Sequence, residues 1–191
     1  MQDGTVRIAC FGDSLTEGYG LAPREALPNV LERLLREEGL PARCLNFGVS
    51  GETFEDGLIR VHKVLQSGPD AVILEFGAND CFMGDSVQTI RDNATAILDT
   101  LRSHGLPVLL VGITAHPEIG AAHKAEFDPM FGELAEEYGL PLFPDILAPY
   151  YPDPSRTLLD GLHPNAQGVE AMARALLPQV IELVQTAQKR D

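Results

Sequence analysis

Val6-Arg7-Ile8-Ala9-Cys10-Phe11-Gly12-Asp13-Ser14-Leu15-Thr16-Glu17-Gly18 is the stretch on which the reading of this chain turns. Its first six residues are mostly apolar, a run short enough for a strand and suited to one buried on both faces. The run stops at Gly12, and small polar residues follow. A strand that leaves through a glycine-hinged turn presents its next side chain at the carboxyl edge of a sheet, where open parallel sheets bind ligands. Ser14 is therefore a hydroxyl on a rigid stem. Taken alone, Gly-Asp-Ser reads first as an ordinary turn, because Gly permits unusual φ and Asp and Ser bond their own backbone.

Outward from this stretch, strand-like and helix-like runs alternate. Residues 28–38 read as a helix, with Leu27, Val30, Leu31, Leu34 and Leu35 on one face and Gly39 and Pro41 closing it. Residues 43–47 form a short strand that exits through Asn46-Phe47-Gly48-Val49-Ser50-Gly51. Residues 54–65 read as a helix and 71–76 as an apolar strand leaving through Gly77-Ala78-Asn79-Asp80. Within that strand Glu75 interrupts the apolar run and needs a partner if buried. A helix over 87–101, capped by Asp85 or Ser86, precedes a fourth strand at 107–113. A loop, a helix near 123–138 and a short strand at 142–144 follow. A proline-rich connection leads to Asp160-Gly161-Leu162-His163-Pro164, and a final helix spans 166–188, with Pro178 expected to kink it.

Five strands alternating with helices predict parallel pairing and a three-layer α/β/α sandwich. For five strands, the flavodoxin-like order 2-1-3-4-5 is expected. That order brings the turns at Ser14, Gly48 and Asn79 to one place. With 191 residues and no long linker or repeat, one domain over 1–191 is expected.

Composition excludes several function classes. A net charge of −14 is wrong for binding nucleic acid or an anionic membrane surface. No apolar run approaches the length of a membrane span, so no stable membrane anchor is expected. Neither a basic start nor an apolar stretch precedes Val6, so no signal peptide is read. The compartment expected is cytoplasmic for the chain as it stands, or periplasmic if a leader preceded it. Cys10, Cys44 and Cys81 lie far apart and carry no zinc-like or disulfide pattern. Cys10 and Cys44 read as buried packing thiols, whereas Cys81 reads as either a packing residue or an exposed thiol beside a site.

Acyl transfer by a serine needs a nucleophile, a base, a group orienting the base, and donors for the oxyanion. Ser14 is the nucleophile candidate, with Ser50 its rival. Neither sits in a Gly-x-Ser-x-Gly elbow. His163 is the base candidate, because Asp160 three residues earlier can reach its Nδ1 and leave Nε2 facing outward. His62 and His104 read as surface residues; His116 and His123 border the loop after the fourth strand. The donor candidates are the N–H groups of Ser14 and Gly48 and the Asn79 side chain, each also readable as a plain turn.

Together these blocks resemble the SGNH, or GDSL-type, hydrolase family: Gly12-Asp13-Ser14-Leu15, Gly48, Gly77-Ala78-Asn79-Asp80 and Asp160-Gly161-Leu162-His163-Pro164. Length and spacing are most similar to its small bacterial arylesterases, acyl-thioesterases and lysophospholipases. The resemblance implies a Ser14–His163–Asp160 triad, an oxyanion hole of Ser14, Gly48 and Asn79, and no metal or organic cofactor. The implied partner is a small-molecule ester, and a monomer or weak homo-oligomer is expected. Where that branch often carries a Gly-Leu-Arg-Gly-like turn, this chain has Cys81-Phe82-Met83-Gly84, which removes a cation and adds apolar surface. Cys81, Phe82, Met83, Ile113 and Pro117 are expected to shape the acyl pocket. A carbohydrate O-acetyl esterase is the alternative. A phosphate- or nucleotide-binding module is a remote one, since no P-loop Lys-Ser/Thr and no Gly-x-Gly-x-x-Gly is present.

Overall fold

The computed structural model describes residues 5–116 and 118–190. A five-stranded parallel sheet has the order β2-β1-β3-β4-β5, built from β1 (Val6–Gly12), β2 (Ala42–Gly48), β3 (Ala71–Glu75), β4 (Val108–Val111) and β5 (Leu142–Phe143). This is the expected order. Apolar residues run unbroken in the central strands because helices cover both faces: every residue of β4 is buried, as is every residue of β3, including Glu75.

One helix group consists of α2 (Leu27–Glu37) packed on α7 (Ala166–Gln188). The second packs α3 (Phe54–Gln66), α5 (Val87–Ser103) and α6 (Ala121–Tyr138) in series. Leu27, Val30, Leu31, Leu34 and Leu35 are buried along α2, and Gly39 closes that helix at φ +74° while Leu40 N–H reaches back to Leu35 C=O. That is the left-handed cap which glycine supplies without a Cβ penalty. Pro178 does not end α7, which continues to Gln188. Among the described residues, no helix is long and apolar enough to cross a membrane.

Two short helices depart from the turns expected from sequence. α1 (Ser14–Glu17) begins directly after β1, and α4 (Ala78–Met83) directly after β3. Gly77 at φ +126° and Gly84 at φ +79° bound α4, conformations that L side chains resist. Neither helix is long enough to show a 3.6-residue period. β1 and β3 pair so that Gly12 lies opposite Glu75, while Gly12 lies opposite Gly48 on the other side. The exits of β1, β2 and β3 thus end level, at the point where the strand order reverses.

Candidate active site

Asp13 caps α1, its carboxylate accepting Leu15 N–H at 2.9 Å. This turn holds Ser14 almost buried, at 9% exposure. Ser14 Oγ lies 3.0 Å from His163 Nε2, and His163 Nδ1 lies 2.7 Å from Asp160 Oδ2. Asp160 Oδ1 accepts the backbone N–H groups of both Leu162 and His163, at 2.9 and 3.0 Å. One carboxylate therefore builds the loop and holds the ring. Burial pushes the Asp160 carboxyl up, but the N–H of Leu162 and the imidazole and N–H of His163 outweigh it and hold it below its ordinary value. Tyr19 lies against the other side of the imidazole, ring centroids 4.4 Å apart. Tyr19 belongs to no motif, and nothing in the sequence distinguished it.

The rival groups have other hydrogen-bonding partners, although His116 also lines the cavity beside Ser14. The Ser50 hydroxyl donates to the Glu17 carboxylate. His62 and His104 are exposed and bond helix carbonyls of Ile59 and Thr100. His116 bonds the Tyr151 hydroxyl at 3.1 Å, and His123 Nε2 lies 3.6 Å from Cys81 Sγ.

The expected donors divide. Asn79 comes to the site on the first turn of α4 and donates to Asp13 Oδ2 at 3.2 Å and to Glu52 C=O at 2.8 Å. Gly48 corrects the expectation: its N–H is held by its own neighbour, Asn46 Oδ1, at 2.9 Å. Its smallness serves packing instead, since a Cβ there would fall 2.1 Å from Glu17 N. Asn46 two residues before Gly48 is the sequence signal for this, an Asx turn. Three residues further on, Gly51 stands exposed at φ +84°, and its N–H meets no acceptor among the described residues.

A cavity of about 310 Å³ opens beside Ser14, Asn79 and His163. Of the expected pocket residues, Cys81, Phe82 and Ile113 line it. Met83 does not: it is 67% exposed and turned outward from α4. Pro117 lies outside the described residues. Cys81 is buried, and burial, reinforced by Asp80 and Asp128, pushes its thiol up to about 12, which keeps it in the unreactive thiol form. The remaining apolar wall comes from Leu15, Phe127, Leu147, Tyr150 and Leu162. Those residues come from α1, α6, the proline-rich connection and, for Leu162, the block that carries Asp160 and His163, segments that only the folded chain brings together.

Buried acids lie under the site. Desolvation, outweighing the Leu15 N–H, raises Asp13 from 3.8 to about 7, and desolvation raises Asp80 to about 6 despite the Phe54 N–H. Glu75, 2% exposed, is raised well above 4.5 by burial and then by Asp13. A carboxyl raised on folding stabilises fully below its unfolded value, and that contribution is lost as pH climbs through the folded value. For these groups the loss runs from about pH 4 through 6 to 7 and beyond. Asp160 works oppositely, losing its contribution only as pH falls below its ordinary 3.8. Thermal melts at constant ionic strength should therefore give a higher Tm at about pH 5 than at about pH 8. A Tm that rises across that interval would contradict the buried, raised acids.

The GDSL-like lipase/acylhydrolase family model matches residues 10–171. An arylesterase of Vibrio mimicus is 28% identical over 92% of this chain and 88% of its own. Thioesterase 1/protease 1/lysophospholipase L1 of Escherichia coli K12 is 29% identical over 93% of this chain and 84% of its own. Among solved structures, the SGNH-hydrolase family esterase AlinE4 superposes with a TM-score of 0.79 at 40% identity, covering 93% of this chain and 96% of that one. The chain thus belongs to the GDSL-like lipase/acylhydrolase family and is a carboxylic ester hydrolase.

Proposed function

We propose that this hydrolase works through Ser14, His163 and Asp160 on esters whose acyl part is apolar and of medium length. Ser14 Oγ attacks the carbonyl carbon while His163 Nε2 takes the hydroxyl proton. The same proton then goes to the leaving alcohol, phenol or thiol as its bond to the acyl carbon breaks. Water repeats the sequence on the acyl-enzyme, and the acid leaves. Asp160 keeps Nδ1 protonated and offsets the charge of the imidazolium. The observation that carries this reading is the continuous run of contacts from Ser14 Oγ to Asp160 Oδ2, at 3.0 and 2.7 Å, beside an apolar cavity.

The oxyanion donors in this reading are Ser14 N–H, the Asn79 amide and Gly51 N–H in place of Gly48. Gly51 is coupled to Asn79 because the next carbonyl, that of Glu52, receives the Asn79 amide. Asn79 keeps its orientation by these two bonds until the substrate oxygen competes for one of them.

The cavity's space corresponds to about ten waters, more than an acetyl group fills. That favours medium acyl chains over acetylated sugars. The activities named for the relatives, arylesterase and thioesterase/lysophospholipase, place aryl esters, acyl thioesters and lysophospholipids in the same test panel. Nitrophenyl esters of increasing chain length, run beside acetylated sugars, should peak in kcat/KM at medium length. Ala115, buried in the cavity wall, offers the matching variant. Ala115→Leu should shift the optimum shorter and cost the former best substrate about tenfold, the equivalent of roughly two methylenes at about 0.8 kcal/mol each. A profile peaking at acetate in both proteins would overturn the substrate assignment.

A further inference from the structure

Glu75 ends an otherwise apolar strand, and its partners define what it does. Its Oε2 accepts the Thr16 hydroxyl at 2.8 Å and Asp13 N–H at 3.4 Å. Its Oε1 is, among the described residues, the one buried side-chain nitrogen or oxygen without a hydrogen-bonding donor. Asp13, wholly buried, lies beside it, held there by its own N–H on Glu75 Oε2. Asp13 already receives Leu15 N–H on one oxygen and the Asn79 amide on the other.

Two carboxyl groups buried side by side cannot both remain ionised in a dry site that lacks a cation. The surrounding groups supply none. Asp80 and Glu52 are acids, and Tyr150 donates its hydroxyl to Leu162 C=O. Arg60 is spent on the Glu52 carboxylate and on the carbonyls of Gly12 and Phe47. The pair therefore keeps at least one proton between its two side chains. Asp13, with two N–H donors, is the member whose charge is compensated. The oxygen left without a partner is on Glu75, and a proton there completes it.

We propose that Glu75 is a protonated positioning residue, donating its carboxylic hydrogen to the Asp13 carboxylate and through it fixing both the Ser14 turn and the Asn79 amide. Neutral Glu75 clamps the chain from Asp13 to Thr16 at its hydroxyl, its N–H and its carboxylate, and Ser14 rides on that segment. Asp13 in turn aims Asn79. Gly12 makes the arrangement possible, since a Cβ there would fall 2.5 Å from Glu75 Oε2. Keeping Glu75 neutral also leaves one negative charge beneath the oxyanion rather than two. The role rests on the reading of Ser14 and Asn79 given above.

The test uses the full chain labelled with glutamate carrying ¹³C at the side-chain carboxyl. Glu75→Gln assigns the resonance, and Ser14→Ala serves as an inactive control. The Glu75 carboxyl should keep its protonated chemical shift from about pH 5 to about pH 8, while exposed glutamates are already ionised. Gln at this position retains a donor for Asp13 and an acceptor for Thr16, so Glu75→Gln should keep kcat near that of the parent protein. Glu75→Met, similar in volume but without either group, should lower kcat by about 10²-fold, the scale of a misaimed oxyanion donor, with KM little changed. An ionised Glu75 signal at neutral pH overturns the proposal, as does a Gln variant as impaired as the Met variant. The resonance reads the proton without turnover. A failure of the serine assignment would instead appear as retained activity in Ser14→Ala.

Discussion

Ser14→Ala is expected to lower kcat by on the order of 10⁶, the scale seen when a serine hydrolase loses its nucleophile. No neighbour can substitute. Cys81 lines the same cavity, but its thiol is pushed up to about 12, and the imidazole it contacts, His123, at 3.6 Å, has no carboxylate hydrogen-bonded to it among the described residues. Ser50 has a carboxylate as its hydrogen-bond acceptor and no imidazole. The change removes one oxygen from a nearly buried site and leaves the Asp13 cap of α1 in place, so Tm should hold. Residual turnover above that in water should persist, because the backbone N–H groups proposed as oxyanion donors, at Ser14 and Gly51, are untouched. Steady-state kinetics on a nitrophenyl ester, with fluorophosphonate labelling alongside, checks this. Ser50→Ala should label and turn over like the parent protein. The reverse result, with Ser50→Ala silent and Ser14→Ala active, would transfer the nucleophile to the wrong exit loop and undo the proposed mechanism.

What could be read from the chain and what could not divide along a physical line. Strand exits carry local chemistry: Gly12 before Ser14, Gly77 before Asn79, Gly161 between Asp160 and His163. Each glycine marks a bend in sequence, and the parallel order 2-1-3-4-5 then brings the first two bends level. Such features are legible because they depend on adjacent residues and on topology. Gly48 and Gly51 compete within one exit loop, and sequence alone does not separate them. The difference lies in hydrogen bonds: Asn46 takes the Gly48 amide, whereas the Gly51 amide meets no acceptor among the described residues. α1 and α4 escaped because helices of four and six residues carry no periodicity. The partner of Glu75 could not be read at all, since Asp13 lies 62 residues earlier in the chain. The same holds for Tyr19 and for the cavity wall supplied by α6 and the proline-rich connection, where no motif marks the residues that meet the imidazole or the acyl pocket.

Asp160→Asn should lower kcat by roughly 10⁴ while leaving the loop standing. The two oxygens of Asp160 have separate tasks, and that separation makes the substitution informative. Oδ1 holds the N–H groups of Leu162 and His163, and an asparagine oxygen can do the same. Oδ2 faces His163 Nδ1 at 2.7 Å, and there asparagine presents an N–H in place of a carboxylate. An N–H opposite Nδ1 requires that nitrogen to be unprotonated. The ring then carries its proton on Nε2, which faces Ser14 Oγ and can no longer accept from it. The base is present, in position, and in the wrong tautomer. KM and Tm should both change little, so the whole loss falls in kcat. Asp160→Ala is the contrasting variant: it removes the loop's acceptor as well, and should lower Tm in addition to kcat, because two backbone N–H groups lose their partner. If Asp160→Asn lost stability as severely as Asp160→Ala, the carboxylate would be acting on the loop rather than on the ring. If it lost less than about tenfold in kcat, the imidazole would not need an anion to set its tautomer, and the role assigned here to Asp160 would fall.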